Sequence, residues 1–79
     1  MRSASPNFQS LSKAVSRRRA ELGLTYEQIA AATGLSRVTV INLELAKTRG
    51  SLATWFALAG ALEVPIGELV RHLDDPVDE

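Results

Sequence analysis

The feature that most constrains this chain is its punctuation. Gly23 is followed by Thr25, Gly34 by Ser36 and Gly50 by Ser51. A glycine adopts the left-handed conformation that ends a helix, and a Ser or Thr side chain accepts from the first amides of the next one. The mark at Thr25 is reinforced by Gln28, which stands where its side chain reaches back to complete a capping box. The spacing therefore predicts a short helix through Ile29 and Ala30 to about Thr33. A tight turn at Gly34-Leu35 and a second short helix capped by Ser36, with Val40 and Leu43 turned inward, follow it.

The flanking segments extend the same pattern. Phe8, Leu11, Ala14, Val15 and Leu22 recur at helical spacing between a capping Asn7 and Gly23. Beyond the polar loop Lys47, Thr48, Arg49 and Gly50, Ser51 caps a segment carrying Leu52, Trp55, Phe56, Leu58, Ala59 and Leu62. Being apolar on most sides, that segment is expected at the centre of the core. Val64-Pro65 breaks it, and Ile66 to Leu73 reads as a fifth short helix. The fold class is all-α: a compact five-helix bundle with a helix-turn-helix at its second and third helices.

Composition agrees. Seventy-nine residues suffice for one core, and 46% apolar with 5% aromatic content means a core of Leu, Ala, Val and Ile. With no cysteine, packing alone holds the fold. No run approaches the roughly 20 apolar residues of a membrane span, and Met1 to Gln9 lacks a signal-peptide core, so a soluble, cytoplasmic protein without membrane association is expected. Basic and acidic residues number nine each, but Asp74, Asp75, Asp78 and Glu79 cluster at the end, leaving residues 1–73 with nine bases against five acids. The chain is thus divided into a flexible arm (1–6), a basic folded domain (7–73) and an acidic disordered tail (74–79).

Within Thr25 to Glu44, each position has a mechanical reason. Ile29, Val40 and Leu43 hold two helices together, Ala30 is small where they approach, Gly34 turns the chain and Leu35 anchors the turn. Such a pair presents its second helix as a rigid rod that fits a major groove about 12 Å wide. With those residues in view, the chain resembles the lambdoid phage repressor and Cro family, the XRE-like helix-turn-helix group. Leu22-Gly23-Leu24-Thr25 before the motif and Ser51 to Leu69 after it are similar to that family's other helices, so the resemblance spans roughly Leu11 to Leu73.

The resemblance implies a lambda-repressor-like fold in which the third helix is the recognition helix. Carried onto this chain, its base-contacting positions are Ser36, Arg37, Val38, Ile41 and Asn42. The chemistry suits them: Arg37 can donate twice to guanine, Asn42 can pair with adenine and Val38 can meet a thymine methyl. Phosphate contacts are implied for Thr25 and Tyr26 at the start of the second helix and for Lys47, Thr48 and Arg49 in the loop, with Arg17 and Arg18 flanking. A structural ion pair is implied between Arg19 and Glu44. Two departures stand out: Tyr26 where the family commonly has Gln, and Leu45-Ala46 where it commonly has a polar residue and Gly. Ala resists the left-handed conformation, so the third helix is expected to run on or to end by another route.

The implied function is sequence-specific binding of double-stranded DNA by a homodimeric transcriptional regulator, a repressor on an inverted repeat, with Ile66, Leu69, Val70 and Leu73 at the two-fold contact. The competing reading is a protein-interaction module that binds a protein partner through Ile41, Leu45 and Tyr26. Catalysis is not expected: His72 is the only histidine, no nucleophile and base are spaced together, and neither a metal nor a cofactor is called for.

Overall fold

The helices begin and end at the punctuation marks. A computed structural model describes residues 5–77, in which α1 spans Phe8–Leu22, α2 Tyr26–Thr33, α3 Arg37–Glu44, α4 Leu52–Ala61 and α5 Ile66–Val70, followed by a 3-10 turn over Arg71–Asp74. Asn7 caps α1 by accepting from Ser10 N at 2.9 Å. Thr25 and Gln28 form the reciprocal box, Gln28 N donating to Thr25 Oγ1 at 3.1 Å and Thr25 N to Gln28 Oε1 at 2.8 Å. Ser36 and Ser51 cap α3 and α4 by accepting from Thr39 N and Thr54 N. Gly23 and Gly34 are left-handed, with φ of 67° and 77°.

The end of α3 is a finding against expectation. Ala46 itself takes the left-handed conformation, with φ of 58°. Ala46 N donates to Leu43 O and Lys47 N to Asn42 O, the two bonds of a Schellman motif, so α3 stops at Glu44 and does not run on. Glu63 closes α4 in the same way, with φ of 59°.

The core gathers Leu11, Ala14 and Val15 from α1, Ile29 from α2, Val40 and Leu43 from α3, Trp55, Leu58, Ala59 and Leu62 from α4, and Leu69 from α5. Each fully buried Leu or Ile stabilises the fold by roughly 2 kcal/mol. α2 packs on α3 and α4, α1 on α3 and α5, and α4 on α5. Polar groups inside this core are paired: Ser12 is buried and donates to Leu43 O, tying α1 to α3, and Trp55 Nε1 donates to Arg49 O at 2.7 Å. Gly50 lies between these layers. A Cβ there would meet Leu43 Cδ2 at 2.9 Å and, with a φ of 66°, would be strained, so glycine is strongly favoured.

Three placements differ from the sequence reading. α4 is not buried all round: Leu52 and Phe56, four residues apart, are 71% and 65% exposed. Leu69, expected at a dimer contact, is buried within the protomer because α5 is a single short turn whose one inward residue closes the bottom of the core. Asp74, Asp75 and Pro76 are not a disordered tail. Asp74 ends the 3-10 turn, Ser10 Oγ donates to Asp75 Oδ2, and Asn7 donates through its backbone N to Leu73 O at 3.0 Å and through Nδ2 to Pro76 O at 2.9 Å. The expected arm falls mostly on residues 1–4, and the end of the expected tail on Asp78 and Glu79, all outside the described residues. No single helix among the described residues is long and apolar enough to cross a membrane.

Candidate nucleic-acid interface

The angle between α2 and α3 is held from below by one buried ion pair. Arg19, in the last turn of α1, donates from Nε and Nη2 to the two carboxylate oxygens of Glu44, both at 2.9 Å. The Glu44 side chain is only 3% exposed and that of Arg19 is 22% exposed. Arg19 Nη1 also donates to Leu24 O, the residue that leads into α2. These contacts push the Arg19 guanidinium above its usual value, Glu44 being the largest cause, so it stays charged. One cation therefore joins the end of α1, the entry to α2 and the end of α3. Bidentate geometry of this kind fixes direction as well as distance.

Tyr26 continues the chain of contacts upward. The Arg19 guanidinium carbon lies 4.4 Å from the centre of the Tyr26 ring, and that of Arg37 lies 5.8 Å from it. The Tyr26 hydroxyl accepts from Arg19 Nη2 at 3.4 Å. Half-buried and packed on the core, the ring is thus a platform at the start of α2 on which the first residue of α3 rests. Arg37 is then met by Glu27, Nε to Oε1, at 2.8 Å. The order across the surface is Glu44, Arg19, Tyr26, Arg37, Glu27.

Around this ladder the remaining site residues are arranged as follows. Ser36, Arg37 and Val38 are exposed at the start of α3, and Ile41 and Asn42 are half-buried one turn on. The Ser36 hydroxyl is engaged as the helix cap and with Thr39 Oγ1, whereas the Asn42 amide makes no side-chain hydrogen bond among the described residues. Thr25, Lys47, Thr48 and Arg49 are exposed. Arg49 lies over the Phe8 ring at 4.9 Å, so the loop is braced against α1. Arg18 is turned elsewhere, donating to Leu62 O at 2.9 Å and pairing with Glu21, and closes the end of α4. Ile66, Val70 and Leu73 are half-buried.

Sequence reasoning missed Glu27. Glu27 sits in the first turn of α2 and Arg37 in the first turn of α3, and only the packing of the two helices, which no local pattern records, brings these starts together. Phe8 under Arg49 was likewise read only as core.

With this geometry in place, comparison with known proteins is informative. A family model described as helix-turn-helix matches residues 15–69. A search of curated proteins returns no significant match. Among solved structures, the restriction-modification controller protein C.AhdI from Aeromonas hydrophila is 29% identical with a TM-score of 0.75, covering 78% of this chain and 94% of that one. The phage P22 c2 repressor, solved with a synthetic operator, is 22% identical with a TM-score of 0.74, covering 81% of this chain and 97% of its own. The clp gene regulator ClgR from C. glutamicum is 21% identical, also at a TM-score of 0.75, with 84% and 86% covered. These structures share the fold, and the family match shows that this chain belongs to the XRE-like helix-turn-helix family.

Proposed function

We propose that this protein is a regulatory DNA-binding protein, not an enzyme, that inserts α3 into the major groove and acts as a dimeric transcriptional repressor on an inverted repeat. The observation that carries the reading is the accessible outer side of α3: Val38 and Arg37 are exposed at its start, Arg37 despite its pairing with Glu27, and the half-buried Asn42 side-chain amide makes no hydrogen bond among the described residues. Lys47, Thr48 and Arg49 stand exposed beyond the end of the same helix, with Thr25 and Tyr26 at the start of α2. A rod that offers base-reading side chains and is flanked by phosphate-seeking ones suits duplex DNA. The similarity to a repressor solved on its operator supports the same reading.

A single module makes few base contacts, so we assign a two-fold assembly with half-sites about one helical turn apart. With Leu69 used inside the protomer, its contact draws on Ile66, Val70 and Leu73. The cytoplasm is the compartment this role requires. One observation favours the second reading, a docking surface for a protein partner through Ile41, Leu45 and Tyr26: Leu45 is 57% exposed just beyond α3.

The deciding experiment is selection of bound sequences from a random duplex pool, followed by Arg37→Ala and Asn42→Ala. A palindromic consensus that each substitution blurs at its own base pair, with affinity falling steeply as salt rises, supports DNA reading. Salt-tolerant protein binding without a consensus supports the docking surface.

A further inference from the structure

We propose that Glu27 is a positioning residue that sets the specificity of Arg37: its carboxylate, beside Nε, holds the guanidinium at the start of α3 by charge while leaving its N–H donors, Nη1 and Nη2 among them, to meet guanine O6 and N7. The inference rests on the DNA-binding reading above and adds to it a residue from outside the recognition helix.

Three observations carry it. The Glu27 carboxylate lies 2.8 Å from Arg37 Nε as an ion pair, and no side-chain N–H of Arg37 donates a hydrogen bond among the described residues. The Tyr26 ring, 5.8 Å from the guanidinium carbon, occupies a second side of the same group. Held beside a carboxylate and over a ring, Arg37 loses rotamers it would otherwise have to give up on binding, while its Nη fork stays available. That fork is the one that matches the two acceptors of guanine in the major groove.

The pair has little to do for the fold itself. Its side chains are 56% and 68% exposed, and exposed ion pairs contribute little to stability. Arg37 is also the first residue of α3, where a positive charge opposes the helix dipole. A carboxylate on a face that meets phosphates repels them, which lowers affinity for every sequence alike. Glu27 makes physical sense there if the loss of general affinity is exchanged for discrimination.

The test compares the full chain with Glu27→Gln, Arg37→Ala and the double variant, each first shown to be folded by circular dichroism and thermal melting. Base preferences come from pool selection, and affinities from titration with the selected duplex and with random duplex at one salt concentration. Glu27→Gln is expected to cut the preference for guanine by about tenfold at the base pair that Arg37→Ala blurs. Random duplex binds as well or better, and Glu27→Gln changes no base preference in the Arg37→Ala background. An unchanged guanine preference, with an affinity shift equal for all sequences, overturns the proposal. A consensus untouched by Arg37→Ala overturns it too while leaving DNA binding intact. Failure of the unsubstituted chain to bind duplex in a salt-dependent way brings down the DNA-binding reading itself, and the role of Glu27 with it.

Discussion

Glu44 lies buried at the end of α3 because Arg19, from α1, meets both of its oxygens at 2.9 Å. Removing either partner strands a charge in a place where water does not compensate it, at a cost of about 3–5 kcal/mol. Arg19→Ala is therefore expected to lose most of the stability of so small a domain, read as the midpoint of urea unfolding. Replacing both residues with apolar ones of similar volume recovers much of it. Because Glu44 pushes the Arg19 guanidinium up, this contribution is complete below its usual value and is lost only in strong alkali. The Arg19 guanidinium therefore adds no slope to stability near neutral pH.

Two helix ends carry a side chain where glycine is the unstrained choice. Ala46→Gly and Glu63→Gly each keep the left-handed turn and remove the clash of Cβ with the backbone, so each is expected to raise stability by about 1 kcal/mol. Gly50→Ala has the opposite sign, since its new Cβ would press on Leu43 and Trp55. Melting temperatures of the three variants check both directions.

The two ends of the described chain are clasped by Asp75. Its carboxyl is held below the usual carboxylate range, first by the hydroxyl of Ser10 and then by His72. A lowered value in the folded state means the contribution is present above the usual carboxylate range and is lost as pH falls through the lowered one. Asp75→Asn is thus expected to lower the melting temperature at pH 7, by an amount that shrinks as pH falls through the lowered Asp75 value. A melting series from pH 2 to pH 7 in both proteins measures this.

Lys47 and Arg37 are predicted to fail differently on DNA. Lys47 is exposed in the loop after α3, with no ion pair among the described residues. Lys47→Ala is expected to weaken binding to all sequences alike and to reduce the slope of log K against log salt by about 1. Arg37→Ala instead relaxes preference at one base pair. Titrations at several salt concentrations separate the two.

Helix boundaries are legible in the sequence because they are local: a capping side chain and a glycine lie within four residues of what they satisfy. The facing of α4 is not. An almost wholly apolar segment has no polar side to orient it, so only tertiary packing decides that Trp55 turns in and Phe56 out. Ala46 misleads because the price of its conformation is met by the chain's need to turn there, which no propensity records. The Asp75 clasp joins residues 65 positions apart and leaves no periodic trace. The contact positions on α3 come from the family resemblance and not from local spacing, and Glu27 requires knowing that two helix starts are neighbours.

The Tyr26 ring is shared by two guanidiniums, one that stabilises the fold and one that faces outward. Any change at that position is felt by both tenants at once. Under the proposed DNA-binding role, replacing this aromatic to change the base preference of Arg37 would also loosen the Arg19 joint beneath it, and repair of the joint would in turn move Arg37. Selectivity and robustness in this small domain are therefore expected to drift together, through paired substitutions, not one residue at a time.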